Sequence, residues 1–441
     1  MALDSAFCSL PNVHNDAVPS FRNRSCSFAY QSSLLGSKFN GRSLPLSIRK
    51  TPSSRPGPFV QSGSNPVCAS HHTFDVVVIG AGIIGLSIAR QLLLGSDLSV
   101  AVVDKAVPCS GATGAGSLLI GRNPEEVDAL KRRVTLLHDA GLRAEYLSGS
   151  DLLLEEPDLL VDKDTGAAFL PDDYQLDAQR AVAYIQKVNK NFTSEGRYAE
   201  IFHDPVTSLL RSDSSGEVVA VKTFKNTLYS KKAIVVAAGC WSGSLMHDLL
   251  RESEVVLDIP VKPRKGHLLV LENFDSLYVN HGLMEAGYVN HQTATLLPRI
   301  STSEVFDHGK SLSVSMTATM DFMGNLLLGS SREFSGFSTE VEESIVNSIW
   351  NRAMEFFPKL RERPLSDFIK SRRVRTGLRP YMPDGKPVIG PVPGLPNVFL
   401  ATGHEGGGLS MALGTAEMVV DMVLGNPEKV DTASFAVQGR C

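Results

Sequence analysis

Residues 73 to 105 read "TFDVVVIGAGIIGLSIARQLLLGSDLSVAVVDK", and no other stretch limits the fold so narrowly. Val76 to Ile79 form an unbroken apolar run, the pattern of a strand covered on both faces. Gly80, Gly82 and Gly85 follow, then Ile84, Ile88 and Leu92 at helical spacing, then the apolar "SVAVVDK". A strand, a helix and a second strand within about thirty residues make a βαβ unit and predict a parallel sheet.

The glycines carry chemistry as well as a turn. Gly80 permits the tight bend after the strand, Gly82 lets backbone approach a pyrophosphate, and Gly85 lets helix and strand pack closely. The helix start then offers free N–H groups and a positive dipole end to phosphates. Asp104 ends the second strand nineteen residues after Gly85, where a carboxylate accepts hydrogen bonds from a ribose. These features predict a dinucleotide site, and by themselves they fit FAD and NAD alike.

Further along, "DAQRAVAYIQKVNKNF" (177 to 192) predicts an amphipathic helix, "HDPVTSLLRSD" and "EVVAVKTF" a strand pair, and "KKAIVVAAGCWSGSL" a buried strand ending in a turn. The texture changes from about 259 to 373, where alternating strands ("GHLLVLEN", "TATLLPRI", "NLLLGSSREF") precede the helix "STEVEESIVNSIWNRAMEFFP". "NVFLATGHEGGGLSMALGTAEMVVDMVLG" gives one more strand, glycine turn and helix. The expected organisation is a Rossmann-like α/β domain in two pieces, 73–258 and 374–430, a second, mostly antiparallel-sheet substrate domain at 259–373, and a tail at 431–441. The stretch 300 to 322 is longer than a hairpin needs and reads as a lid or an insertion.

Residues 1 to 72 differ from the rest. Their acids are Asp4 and Asp16 against seven bases (Arg22, Arg24, Lys38, Arg42, Arg49, Lys50 and Arg55), with serine throughout. That composition predicts an organellar transit peptide, plastid in preference to mitochondrial because serine outweighs arginine; the other reading is a disordered leader. Among the 441 residues, 43% are hydrophobic and 20% charged, with a net charge of −4, which argues against a nucleic-acid partner. No apolar run reaches the roughly 18 residues of a membrane span. The six cysteines have no CxxC spacing, so neither a disulfide framework nor a cysteine metal site is expected.

Taken together, "VVVIGAGIIGLSIARQL" with "VVDK", "IVVAAGCWSG" and "ATGHEGGGLSMALGTAEM" resemble the D-amino-acid oxidase superfamily of FAD-dependent oxidoreductases, nearest to the glycine oxidase-like proteins. "GLRP", "DGKP", "IG" and "TGH" also occur in that order, and the resemblance covers about residues 73 to 425. It implies a fold of the p-hydroxybenzoate-hydroxylase/D-amino-acid-oxidase type and FAD, expected to be non-covalent because about Gly377 stands where sarcosine oxidases carry their flavin-linking cysteine. It places Gly80, Gly82 and Gly85 at the pyrophosphate, Asp104 at the ribose, and Ser110, Thr113 and Ala115 near the pyrophosphate and flavin. Val206 would pair with adenine, Ala237 and Gly239 would line the back of the site, and Gly406, Gly407 and Gly408 would present amides to the flavin's pyrimidine edge.

The "GLRP" arginine is Arg379, and the resemblance implies that it holds a substrate carboxylate in bidentate fashion. Pro380 restricts the backbone before it to extended forms. Tyr288 and Tyr381 are candidates to cap the substrate, and His404, with His267, to border the flavin. The expected substrate is a small amino acid or secondary amine, oxidised at its CH–NH bond by hydride transfer to flavin N5, with O2 giving H2O2 and an imine that hydrolyses. Two other activities stay open: a dehydrogenase of a D-amino acid or 2-hydroxy acid passing electrons to a quinone or carrier, and a non-catalytic flavin-binding protein. The chain departs from its resemblances at three places. Gly406 stands where glycine oxidase has a second arginine, about Gly377 falls where sarcosine oxidases have their flavin-linking cysteine, and about Leu327 where they have an oxygen-activating lysine.

Overall fold

The computed structural model describes residues 70–105, 114–176, 178–212, 214–251, 253–288 and 312–441. Continuous apolar runs build the first of two sheets. β1 (Ser70–Ile79), β2 (Val100–Val103), β6 (Tyr198–Ile201), β9 (Asn226–Val236) and β16 (Leu395–Thr402) lie parallel in the order β16-β9-β1-β2-β6. β15 (Val388–Val392) closes one edge antiparallel, and the hairpin β7 (Val206–Arg211) with β8 (Val218–Thr223) joins through β9. Alternate residues serve opposite faces. Val76, Val78, Val100 and Val102 pack under α1 (Ile83–Gly95), α4 (Ala178–Asn189) and α7 (Gly408–Leu424). Val77, Ile79, Ala101 and Val103 pack under α5 (Ser242–Leu250). The sheet is therefore covered on both sides, as its unpatterned strands require.

The second sheet runs in the order β14-β10-β13-β12-β11-β3-β5-β4. Its strands are β3 (Gly114–Gly121), β4 (Glu145–Ser148), β5 (Gly166–Gln175), β10 (Lys262–Leu271), β11 (Gly282–Glu285), β12 (Ser313–Met320), β13 (Leu326–Arg332) and β14 (Arg372–Tyr381). All neighbours are antiparallel except β3 and β11. Helix α6 (Glu343–Met354) lays Ile345, Val346, Ile349, Trp350 and Ala353 on one face of this sheet, against Leu269, Leu271, Leu326 and Leu328. Each large side chain so buried contributes roughly 1.5–3 kcal/mol. Glu343 in its first turn and Arg352 in its last complement the helix dipole. Helices α2 (Pro124–Asp139) and α3 (Gly149–Glu155) pack on β3, β4 and β5.

Two expectations change. The second sheet begins at Gly114 and ends at Tyr381, so the region 259–373 is only its larger part. β3 joins it by pairing Ser117 with Gly282 and Leu118 with Leu283, a partnership no local pattern reveals. Residues 431–441 are no loose tail: Val437 is buried beneath the first sheet, and Arg440 Nε donates to Asp384 Oδ2 at 2.9 Å. Finally, Glu405–Leu424 is long and apolar enough to pass for a membrane span, at a mean hydropathy of 1.3. Its residues Ala416, Val419, Val420 and Val423 are instead buried against α1 and the first sheet.

Candidate functional site

The carboxyl ends of the parallel strands converge on one edge, where ligands of open α/β sheets bind. Gly80 ends β1 with φ +114°, and its N–H donates to the Val103 carbonyl at 2.7 Å. A Cβ on Gly80 would overlap the Ala237 carbonyl, and one on Gly85 would overlap the Gly80 carbonyl. These two glycines are thus forced by backbone packing. Gly82 is different. Its φ is −76°, and a Cβ there would meet no heavy atom of the described residues within 4 Å. It faces open space at the start of α1, whose first amides receive no side-chain cap.

Asp104 Oδ2 accepts from the Ala81 N–H at 2.7 Å, which ties the glycine turn to the end of β2. The Asp204 amide donates to the Asp104 carbonyl at 3.3 Å, bringing the start of β7, and with it Val206, to the same edge. Asp204 is itself buried. Burial opposes its charge, but hydrogen bonds from Thr223, Asn226 and the Lys225 amide outweigh that and hold the carboxyl below its usual range. Ala237 donates to the Ile79 carbonyl at 2.8 Å, and the Gly239 carbonyl accepts from Thr402 Oγ1 at 2.8 Å, joining β1, β9 and β16. Past Thr402, Glu405–Gly407 makes a 3-10 turn and α7 begins at Gly408, again with no side-chain cap. Gly80, Gly82, Gly85, Asp104, Val206, Ala237, Gly239, Gly406, Gly407 and Gly408 therefore share one edge. Ser110 and Thr113 lie outside the described residues; Ala115 pairs with Tyr174 in β3 and β5.

The second sheet turns three arginines toward this edge. Arg264 and Arg379 are directly opposite in β10 and β14, so both side chains leave the same face. The Arg379 guanidinium lies over Gly266, where a Cβ would collide with it, and its Nη1 donates to the Ser331 carbonyl at 3.0 Å. Arg332 reaches this face through a slip in register. Leu268 pairs with Gly329, but Lys265 pairs with Glu333, so β13 holds one residue more than β10 between the two pairs. Without that bulge, the alternation that buries Leu326 and Leu328 under α6 would bury Arg332 there too. Arg264 Nη1 donates to Glu405 Oε1 at 2.8 Å, linking the second sheet to the glycine turn before α7. Glu405 holds φ +42°, a left-handed conformation that costs a non-glycine residue roughly 1–2 kcal/mol.

The aromatic candidates sit among these arginines. Arg264 stacks on Tyr381 and Phe334, its guanidinium carbon 5.2 Å and 5.6 Å from the ring centroids. Arg332 stacks on Tyr288 at 4.0 Å. His404 is otherwise placed. Its buried ring hydrogen-bonds Thr415 Oγ1 through Nε2 at 2.9 Å, and burial lowers its pKa to about 4, so the neutral ring fastens the turn to α7. His267 lies on the face covered by α6, between Ser331 and the Glu342 amide; burial, with the Lys265 charge, keeps it below the usual imidazole range. Lys265, fully buried on that same face, is paired with Glu342 at 2.8 Å and Glu333 at 3.1 Å. Asp384 pairs with Arg440 and not with Arg379. Arg372 and Arg373 pair with Glu343 and Glu272, as surface charges do. Arg264 and Arg332 escape a reading of the sequence, because a strand arginine looks solvated until its register is known.

The residues present fit FAD. Two uncapped helix starts, open space at Gly82 and a carboxylate at the end of β2 suit a pyrophosphate and a ribose. Gly377, exposed beside Arg379 with no heavy atom within 4 Å of a Cβ, leaves room for a ligand on the arginine face. Among the described residues, no three His, Cys, Asp or Glu side chains come together to hold a metal ion.

The profile describing FAD dependent oxidoreductases (DAO) matches residues 75–121 and 115–422. Glycine oxidase of Pseudomonas aeruginosa is 26% identical over 403 residues, covering 83% of this chain and 99% of its own length. D-amino acid dehydrogenase of Vibrio cholerae is 26% identical over 314 residues, covering 70% of this chain and 63% of that protein. The crystal structure of glycine oxidase from Geobacillus kaustophilus superimposes with a TM-score of 0.66 at 20% identity, covering 84% of this chain and 100% of that one. At that identity the structural likeness speaks for the fold alone.

Proposed function

The chain belongs to the FAD-dependent oxidoreductase family (DAO), and on that premise we propose that it oxidises the CH–NH bond of a small amino acid or secondary amine. The observation that carries this reading is Arg379, held over Gly266 on the sheet face that looks toward the strand ends. A planar guanidinium binds a carboxylate through two parallel hydrogen bonds, fixing the direction of the substrate as well as its position. Ser331 anchors one of its nitrogens through a backbone carbonyl, so the side chain is oriented before substrate arrives. Gly80, Gly82, Gly85 and Asp104 would hold the adenosine diphosphate portion of FAD, and Gly406, Gly407 and Gly408 the isoalloxazine end. FAD, when bound, supplies the two-electron sink for the substrate's hydride, leaving an imine for water to hydrolyse, with O2 as the proposed final acceptor giving H2O2.

Non-covalent binding is supported by Gly377, which offers no nucleophile, and by Cys240, whose thiol burial pushes up to about 11. A dehydrogenase that passes its electrons to a quinone or carrier is the second reading. It is favoured by Leu327 at the place of the sarcosine oxidases' lysine, and by Lys265, which is locked between two glutamates on the far face. His404 is given a positioning part, holding α7 to the glycine turn.

The test is anaerobic reduction of the purified yellow protein with glycine, sarcosine, D-alanine, D-proline and 2-hydroxy acids, followed by air. Bleaching by an amine, with rapid return of colour in air, is expected. Bleaching by hydroxy acids alone would overturn the amine reading, and slow reoxidation would move the assignment to the dehydrogenase.

A further inference from the structure

Arg332 is 1% exposed, and its Nη1 has no hydrogen-bond partner among the described residues. Its Nη2 donates to the Tyr288 carbonyl at 3.1 Å, and its guanidinium lies over the Tyr288 ring. The neighbouring acid does not serve it, because Glu333 leaves the opposite face and pairs with Lys265 at 3.1 Å. Burial, together with the charges of Arg264 and Arg379 on its own face, pushes its pKa below the ordinary guanidinium value. Glu405 is bonded to Arg264. Among the described residues, three guanidiniums thus meet one carboxylate. A buried cation without a counter-charge is costly, and such an imbalance is relieved when a ligand brings the missing anion.

We propose that the substrate carries a second carboxylate and that Arg332 receives it, making the substrate class an amino- or iminodicarboxylate. The proposal rests on the reading above, in which Arg379 holds the first carboxylate. Two guanidiniums stand on one sheet face, and each can take one carboxylate of a short dicarboxylic chain. The stacked Tyr288 holds the Arg332 plane, so that Nη1 remains available to a carboxylate oxygen.

The test uses FAD-loaded protein and matched acids that cannot be oxidised. Glutarate is compared with butyrate, and succinate with propionate, by calorimetry and by perturbation of the flavin spectrum. The wild type is expected to bind each dicarboxylate about tenfold tighter or more, the equivalent of one charged hydrogen-bonded pair. Arg332→Met should erase that preference while holding FAD and binding the monocarboxylates as before. Arg332→Gln, which keeps a donor for the Tyr288 carbonyl, covers the case in which Arg332→Met does not fold, and should behave alike. Equal affinity for mono- and dicarboxylates in the wild type overturns the proposal. So does a preference that survives in the variants, or variants that lose FAD or shift its spectrum with the preference intact, which would make Arg332 a cofactor contact. Reduction by glycine or sarcosine with no dicarboxylate preference sinks this inference and leaves the amine reading standing. Reduction by no amine, iminodiacetate and D-glutamate included, sinks both.

Discussion

Gly82→Ala and Gly85→Ala separate what the fold needs from what the cofactor needs. At Gly85 a new Cβ would stand 3.1 Å from the Gly80 carbonyl carbon and 3.2 Å from Val78 Cγ1, and would overlap the carbonyl oxygen itself. Backbone must move to admit it, so the cost belongs at or above the top of the ~1–3 kcal/mol range for overpacking. At Gly82 the new methyl meets nothing within 4 Å, and the φ of −76° suits alanine. Lower chain entropy in the unfolded state gains about 0.4–1 kcal/mol, and alanine's weakness at a helix start loses about as much. The apoprotein of Gly82→Ala is therefore expected to melt within a few degrees of wild type, and that of Gly85→Ala far below it. FAD affinity should follow a different order. A methyl at Gly82 keeps a phosphate from the first amides of α1 and removes about one charged hydrogen bond, ~1.5–3 kcal/mol, or roughly ten- to a hundredfold in Kd. Melting of the apoprotein and titration with FAD, read by quenching of flavin fluorescence, check the two halves separately. A Gly82→Ala protein that binds FAD like wild type, or that melts as low as Gly85→Ala, refutes the reasoning.

Other outcomes follow from the same geometry. His404 has its folded pKa depressed to about 4, against an ordinary value of about 6.5, so its contribution is complete above about pH 6.5 and is lost as pH falls toward 4. Up to about 3 kcal/mol is at stake, and His404→Gln should flatten that part of a stability–pH curve measured by denaturant unfolding. Glu405→Gln leaves Arg264 buried without its carboxylate. With side chains only 11% and 14% exposed, the expected loss is about 3 kcal/mol, read as a lower unfolding midpoint. Arg379→Ala should lower kcat/KM by about 1.5–3 kcal/mol, or roughly ten- to a hundredfold, with FAD content unchanged. Residues 1–72 fused to a fluorescent protein are expected to carry it into plastids; a cytosolic signal would remove the address read from their composition.

The βαβ unit was legible because every signal in it is local. The apolar runs, the glycine spacing and Asp104 lie within a single stretch, and the structure sets them where the spacing said. The glycine turn before α7 was legible for the same reason. What the sequence hid depends on pairing across long separations. Nothing near Ser117 tells that its partner is Gly282. Arg332 looks like any strand arginine, and only the slip between Leu268↔Gly329 and Lys265↔Glu333 turns it to the site face. The closing segment reads as a polar tail until Arg440 is seen reaching back to Asp384 and Val437 to the core. The burial of His404 was hidden too, since a motif position beside glycines says nothing of what covers it.

The backbone passes between the two sheets four times, from β2 to β3, β5 to β6, β9 to β10 and β14 to β15. No single cut can therefore release either sheet with all its strands. Truncation at any one boundary strands unpaired edges on both fragments, so neither half should be obtainable as an autonomous folding unit.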